Sequence, residues 1–454
     1  MADLLDKVIS LSKRRGFIFP GSEIYGGLAN TYDLGPRGVE LKNNLQNLWW
    51  KEFVHKRPEI YGLDTAILMS PKVWEASGHT QNFADVLIDC KNCQYRTRAD
   101  HLIEDVTNQK VEGKSNQQLQ QIIQDKQIPC PKCGKINWTP LRKFNQLFET
   151  QVGIISGAKN TAFLRGETAQ GMFVNFKQVL DSLHPKLPFG LAQAGRVFRN
   201  EITMGKFTFR VLECDLAEFE YFVRQEDWEK WFEFWKEEVT KFAHLLGISD
   251  DHLRWRPHTK EELSHYSTRT EDLEYKYPFG FKEWFAVAYR TDFDLKNHMQ
   301  QSGVDLRYLD PVSGEKFIPH VIEPTFGLTR SLTTLLINSY HEDTVKNRIV
   351  MKLPHLLAPY KAAVFPLLAN KEELVAKAHA VHALLNDDFT VDLDARGNIG
   401  KRYFSQDEIG TPFCITVDFD TLEDDTVTVR DRDTTSQERV NLTQLSTYLK
   451  EKLH

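Results

Sequence analysis

The chain has 454 residues, 41% apolar and 26% charged, with 57 Lys and Arg against 63 Asp and Glu. That composition is ordinary for a globular protein of roughly two to four domains and excludes collagen-like, disordered and membrane-spanning classes. The net charge of −6 excludes a uniformly basic nucleic-acid binder, so contact with a polyanion must come from a local patch.

In chain order, Leu4, Leu5, Val8, Ile9 and Leu11 recur at helical spacing and predict an amphipathic helix over 3–14. The first residues show no basic-then-apolar leader, so no secretory signal is expected. Gly, Pro and aromatic residues over 17–35 read as a short hairpin or irregular strands. A long helix over 37–54 follows, with Leu41, Leu45, Leu48, Trp49 and Phe53 on one side. Residues 90–133 change character. They are polar, rich in Gln and Lys over 109–127, and bounded by Cys90, Cys93 and Cys130, Cys133. This reads as an insertion with its own staple. Two C-x2-C pairs suit tetrahedral Zn²⁺, the alternative being four reduced thiols. Cys214 and Cys414 stand alone, which fits a reducing compartment better than a disulfide framework.

A helix is predicted over 168–183. Strands over 189–201 and 207–223 then read as antiparallel neighbours joined by a polar turn holding Met204, Gly205 and Lys206. The helix over 225–245 carries Trp228, Trp231, Phe232, Trp235 and Phe242, a stripe that reads as core-facing. Strands over 273–276 and 284–290, a hairpin at 311–314 and a helix over 327–338 follow. A boundary falls near Leu353-Pro354. Beyond it, strands over 362–367, 390–393 and 413–417 alternate with helices over 371–386 and 442–452, an α/β pattern. The expected units are 1–89, 90–140, 141–353 and 354–454. From residue 355 onward there are 11 basic and 17 acidic residues, so the whole excess of negative charge lies in the tail.

Two clusters carry candidate chemistry. Phe198-Arg199-Asn200-Glu201 is followed by Phe209-Arg210-Val211-Leu212-Glu213. An arginine reaching from a sheet can fork onto a phosphate, and a phenylalanine can stack on a base; the plainer reading is an edge strand with solvated charges. In Glu323-Pro324-Thr325-Phe326-Gly327-Leu328-Thr329-Arg330, a strand ends at a helix start where glycine permits close backbone approach. A cation in the first turn opposes the helix dipole unless an anion is near; the plainer reading is an arginine held by an acid such as Glu323.

Together the clusters resemble motifs 2 and 3 of class II aminoacyl-tRNA synthetases: F-R-x-E at Phe198 to Glu201, and G-x-x-R at Gly327 to Arg330. Motif 1 would be the helix ending near Val54 with the strand reaching Pro71, which implies a homodimer. Three phrases resemble glycyl-tRNA synthetases of the homodimeric type: 165–171 (RGETAQG), 290–295 (RTDFDL) and 320–324 (HVIEP). In the tail, 407–413 (DEIGTPF) and 429–433 (VRDRD) resemble that family's anticodon-binding domain.

The resemblance implies an α+β fold: a class II antiparallel sheet flanked by helices, a cysteine-stapled insertion, and a C-terminal α/β anticodon-binding domain. It implies a cytoplasmic ligase that joins glycine to ATP as glycyl-adenylate and then passes glycine to the 3′ end of tRNA-Gly. Arg199 and Arg330 would be catalytic, Arg199 on the α-phosphate and Arg210 and Arg330 on the outer phosphates. Phe209 would stack on adenine. Asn200, Glu201, Val211, Leu212, Glu213, Cys214, Trp284, Gly327, Leu328 and Thr329 would complete the ATP wall, with Glu283 holding Mg²⁺. Glu167 and Glu218 would read the glycine ammonium, with Glu323 and Thr325 completing the wall. Arg98, the run Cys214, Asp215, Leu216 and Ala217, and the run Pro324, Thr325, Phe326 and Gly327 would close the niche. Three converging carboxylates repel each other unless a cation enters. The chain departs from the family where Leu212 replaces a second motif 2 arginine, at 214–217, where Thr329 replaces an aspartate, and where Gly166 replaces a proline. The rival reading is a non-catalytic nucleic-acid-binding accessory protein of the same fold. For the acidic tail to read RNA, Lys401, Arg402, Arg430, Arg432 and Arg439 are expected to gather on one face.

Overall fold

The computed structural model describes residues 4–107, 109, 111, 114–153, 160–201 and 206–453. Its centre is a seven-stranded sheet of β1 (Ile60–Gly62), β2 (Phe189–Phe198), β3 (Glu213–Val223), β4 (Leu253–Pro257), β5 (Arg269–Tyr277), β6 (Gly280–Thr291) and β7 (His320–Gly327). The spatial order is β4-β5-β6-β7-β3-β2-β1. Neighbours are antiparallel except that edge strand β1 runs parallel to β2. The helices around it are α1 (Leu4–Arg15), α2 (Pro36–Trp50), α3 (Ala169–Leu183), α4 (Trp228–Leu245), α5 (Phe293–Ser302) and α6 (Leu328–Ser339). This is the expected α+β fold.

Both faces of the sheet are covered, so β3 is buried from Asp215 to Val223. Ala217, Phe219 and Tyr221 join the larger core with Trp49, Phe53, Trp235 and Phe326. Ring centroids of Phe219 lie 4.6 Å from Trp235 and 5.6 Å from Phe53. The α4 aromatic stripe is core, as read. Glu218, Glu220 and Phe222 alternate onto the opposite face. There Phe222 packs with Phe173 and Phe176 of α3 and Phe189 of β2. Helix α3 lies so close that a Cβ on Gly171 would sit 2.0 Å from the Thr65 hydroxyl.

Three local expectations are corrected. Helix α2 does not run regularly to 54; it widens into a π turn, Lys51–His55, in which adjacent Phe53 and Val54 are both buried. The strand expected from Phe207 begins at Glu213. Phe207 has φ +56°, Phe207–Phe209 forms a 3-10 turn, and the Leu212 N–H donates to the Asn30 carbonyl rather than to a paired strand. Met204 and Gly205 of the intervening turn lie outside the described residues. Gly327 has φ −72°, and a Cβ there would meet nothing closer than 3.4 Å, so backbone geometry does not require glycine.

The insertion has its own small core of Ile88, Leu102, Ile103, Leu119, Ile123 and Ile128. Its sheet draws strands Ala84–Asp89 and Arg142–Asn145 from outside the expected 90–140 span.

The tail forms a five-stranded sheet of β8 (Ala362–Pro366), β9 (Val391–Leu393), β10 (Phe413–Val417), β11 (Thr426–Asp431) and β12 (Gln437–Asn441), ordered β9-β8-β10-β11-β12. Its expected cationic face does not exist. Arg402 is buried and donates to the carbonyls of Pro366, Arg396 and Gly397. Arg432 is buried on the carbonyls of Leu353 and Gly410. Arg430 holds Asp407 through two bonds of 2.9 and 3.0 Å, and Arg348 reaches the same carboxylate at 2.6 Å. Arg439 is bound to Asp418, leaving Lys401 as the exposed, uncommitted member of the five. Arg430 and Arg432 thus serve the junction of tail and body, while Arg402 and Arg439 are spent inside the tail, which a charge count does not reveal.

Candidate active site

The ends of β2, β3, β6 and β7 and the start of α6 surround a cavity of about 280 Å³. Arg199, Glu201, Phe209, Arg210, Val211, Cys214, Asp215, Leu216, Glu283, Trp284, Thr325, Gly327, Thr329 and Arg330 line it, with Arg98 reaching in from the insertion. Residues far apart along the chain thus meet on one wall. The sequence did not single out Gln146 and Thr208, which also line it.

Arg199 is oriented by its Nε, which donates to the Gly166 carbonyl at 3.0 Å, and by the Phe83 ring, 5.4 Å from its guanidinium carbon. Arg330 donates to the Glu283 carbonyl at 2.8 Å, pairs with the Glu283 carboxylate at 3.1 Å, and lies 4.5 Å over the Phe209 ring. The Arg210 guanidinium comes within 4.0 Å of Glu201. Burial pushes the Cys214 thiol up, against the pull of Arg199 and Arg330. Thr329 accepts the Asp215 N–H at 2.8 Å and so ties β3 to α6. Arg98 is held by Asp85 at 2.8 Å and Asp100 at 2.6 Å.

Several expected residues stand off the cavity wall. Ala217, Phe326 and Leu328 point into the aromatic core. Trp284, though it lines the wall, is buried, its Nε1 donating to Ser331. Glu213 pairs with Arg196, and Asn200 and Leu212 contribute through the backbone: the Asn200 N–H donates to Gln146 and the Leu212 carbonyl accepts from Arg199. Pro324 is buried in β7 between β6 and β3.

Behind the cavity, on the α3 side of the sheet, lies the acidic niche. Glu167, Glu218 and Glu323 converge there as expected, with Glu220 and Asp294 beside them; all five are buried. The cation their convergence requires is the chain's own Arg290, fully buried on β6. Its guanidinium meets Glu323 at 2.8 Å, Asp294 at 2.8 and 2.9 Å and Glu167 at 3.5 Å, and lies 3.7 Å over the Tyr266 ring. Burial works against Arg290, yet Asp294, Glu323 and Glu167 hold its pKa above the ordinary range. Glu167 also accepts from Gln170 at 3.0 Å and faces His79 at 3.1 Å. Burial opposes its charge, but His79 and Arg290 hold it below the usual carboxylate range. Glu218 accepts from the backbone and hydroxyl of Thr168, and burial with Glu167 pushes it up. Burial lifts Glu323 to about 8 despite Arg290. Sequence reasoning missed Arg290, Asp294, His79 and Glu220. The available signals were an Arg and Asp four apart at the end of an apolar strand and a second acid two residues after Glu218.

In the insertion, the sulfurs of Cys90, Cys93, Cys130 and Cys133 lie within 4.8 Å of one another. The cross pairs Cys90–Cys133 and Cys93–Cys130 are each 3.6 Å apart, too far for disulfides.

Known proteins agree with this layout. Residues 361–452 match a family model described as an anticodon binding domain, and residues 108–146 one described as glycyl-tRNA synthetase insertion domain 1. The chain is 49% identical to the glycine–tRNA ligase of Caldanaerobacter subterraneus subsp. tengcongensis and 50% identical to that of Alkaliphilus oremlandii, each over 99% of this chain and 98% of the relative. It is 49% identical to the glycine–tRNA ligase of Geobacillus thermodenitrificans over 100% of this chain and 98% of the relative.

Proposed function

The chain belongs to the glycine–tRNA ligase family, and from that premise we propose how its residues perform the reaction. The enzyme joins glycine to ATP and transfers the glycyl group to tRNA. The glycine carboxylate attacks the α-phosphorus, the P–O bond to pyrophosphate breaks, and glycyl-adenylate forms. A ribose hydroxyl of the terminal adenosine then attacks the glycyl carbonyl, and AMP leaves. A carboxylate is already nucleophilic, so the first step needs no general base. Its acceleration comes from positioning and from neutralised phosphate charge.

The observation that carries this reading is one cavity lined by both Arg199 and Arg330, backed by a buried acidic niche. Arg199, fixed by Gly166 and Phe83, is the α-phosphate ligand. Arg210 and Arg98, at the same wall, face the outer phosphates and the reacting carboxylate. Arg330 lies 4.5 Å from the Phe209 centroid, too close for a base to fit between them, so adenine stacks on Phe209 when Arg330 leaves the ring for the outer phosphates. Glu283, exposed at the cavity mouth, would hold Mg²⁺ that enters with the triphosphate. Glu167, Glu218 and Glu323 receive the ammonium, and Thr325, between Glu218 and Glu323 on the same face of the sheet, limits space for a side chain. Exclusion of alanine is then steric.

Four thiols with 3.6 Å cross distances suit tetrahedral Zn²⁺, whose Zn–S bonds of about 2.3 Å set sulfurs about 3.8 Å apart. We assign that metal a structural role in the insertion. Ile24, Tyr25 and Leu28, 88%, 87% and 60% exposed on one loop, are apolar surface that a second copy would cover, which supports a homodimer. Separate apolar clusters support the insertion and the tail as units of their own, the insertion reaching over 84–145 rather than 90–140. No helix among the described residues is long and apolar enough to cross a membrane; the tRNA substrate supports a cytoplasmic site of action.

The deciding experiment is amino-acid-dependent ATP–pyrophosphate exchange across all twenty amino acids. Exchange with glycine alone is expected. No exchange with any amino acid would establish the non-catalytic binder instead.

A further inference from the structure

Five carboxyl groups share the niche, and four have named partners. Glu167 meets His79, Gln170 and Arg290; Glu218 meets Thr168; Asp294 meets Arg290 and Gln170; Glu323 meets Arg290. Glu220 has none. It is fully buried, and neither of its oxygens finds a hydrogen-bond donor among the described residues. An ionised carboxylate without donors is the least tolerable buried group, and it neutralises by keeping its proton.

The groups that face Glu220 are mostly of its own sign. They are Glu323 from β7, Glu218 on its own strand β3, and Asp294 from α5. Arg290 from β6 is the cation among them, and it is already bonded to Glu323 and Asp294; His79 and His298 stand further round the niche, on Glu167 and Gln170. Covering helix α3 contributes the apolar Phe173, whose ring lies 5.4 Å from the Arg290 guanidinium. Burial and the charge of Glu323 both push Glu220 well above the usual carboxylate range.

A substrate ammonium placed among Glu167, Glu218 and Glu323 changes this balance, because it adds one positive charge to a low-dielectric cluster. We propose that Glu220 is a positioning residue that keeps its proton in the free enzyme and releases it to solvent when glycine binds. Glycine entry thereby exchanges one positive charge for another, the ammonium standing as the counter-charge that an ionised Glu220 lacks in the free enzyme. This rests on the assignment of the niche to glycine. The O–H bond of the Glu220 carboxyl breaks, its electrons stay on the carboxylate, and buffer takes the proton.

Linkage gives the sign. While the free site is protonated and the occupied site is not, each unit rise in pH tightens glycine binding up to tenfold. Glycine itself stays zwitterionic across pH 6–8.

The test is calorimetry of glycine binding to the full-length enzyme in two buffers of different ionisation enthalpy. The expected result is a buffer-dependent heat corresponding to release of up to one proton per glycine. Glu220→Gln keeps the shape and neutrality of the protonated side chain. It should bind glycine with buffer-independent heat and a flattened pH dependence of glycine KM in exchange. Saturable glycine heat with no proton release by the unmodified enzyme overturns the proposal by itself, without need of a variant. Release that persists unchanged in Glu220→Gln overturns it too, by placing the proton on another acid. Absence of any glycine heat overturns the glycine assignment together with the proposal.

Discussion

Replacing Arg290 by methionine removes the one cation among the described residues that bonds Glu323, Asp294 and Glu167 together, while keeping much of the side-chain volume. Breaking a buried ion pair by removing one partner costs about 3–5 kcal/mol. Unfolding entropy of roughly 2.1 cal/mol/K per residue, over the ~350 residues before the tail, gives about 0.7 kcal/mol/K, so the melting temperature should fall by about 4–7 °C. The loss must also depend on pH. Glu323, lifted to about 8, binds more protons folded than unfolded. Stability from it is therefore present below the ordinary carboxylate value of about 4.3 and is lost as pH rises toward 8. Arg290 restrains that rise, so its removal should carry the loss on to and beyond pH 8. Scanning calorimetry of both proteins near pH 5.5 and pH 8 should show a larger deficit at the higher pH. A variant that melts within 1 °C of the parent at both values would refute the ion cluster as described.

Three further outcomes are expected. Arg199→Ala should abolish ATP–pyrophosphate exchange, whereas Glu218→Ala should chiefly raise the glycine KM; equal loss in kcat for both would contradict the division into phosphate and ammonium ligands. Elemental analysis should find about one zinc per chain, and Cys130→Ser should lose it and lower the melting temperature, a result excluded if chelators leave the parent's melting unchanged. Asp407→Asn leaves Arg348 and Arg430 buried beside an uncharged partner and should cost about 3 kcal/mol in denaturant unfolding; an unchanged midpoint would show that the tail junction does not depend on this acid.

Much of the architecture was legible because it follows periodicity. Helices α1, α3, α4 and α6 and strand β2 fall within a few residues of the apolar patterns that predict them. Two deviations have local causes. Phe207 and Phe209 favour strands by type, but a left-handed residue at 207 turns the chain, and no side-chain pattern announces that. The π turn after Trp50 is likewise invisible to a 3.6-residue repeat. In the site, Arg199, Glu323 and Arg330 stood out because charged residues end apolar strands or open a helix, whereas Glu218 came only from the family resemblance. Arg290 interrupts a strand too, but its partners lie at 167, 294 and 323, and only the closed sheet brings them together. The tail arginines mislead for the opposite reason. A count of cations cannot distinguish a side chain facing solvent from one spent on carbonyls inside the fold.

Strand β3 also guards against its own misalignment. Its odd positions 217, 219 and 221 are apolar or aromatic, and its even positions 218 and 220 are acids with a charged destination. Sliding it by one residue against β2 and β7 would drive both carboxyls among Trp49, Phe53 and Trp235 and leave Phe219 facing Arg290. A strand buried on both sides by apolar residues alone could tolerate such a slip; this one cannot. The acids of the niche therefore act as an indexing mark during assembly of the sheet, and neutralising Glu218 and Glu220 together should broaden the set of pairings the strand can adopt.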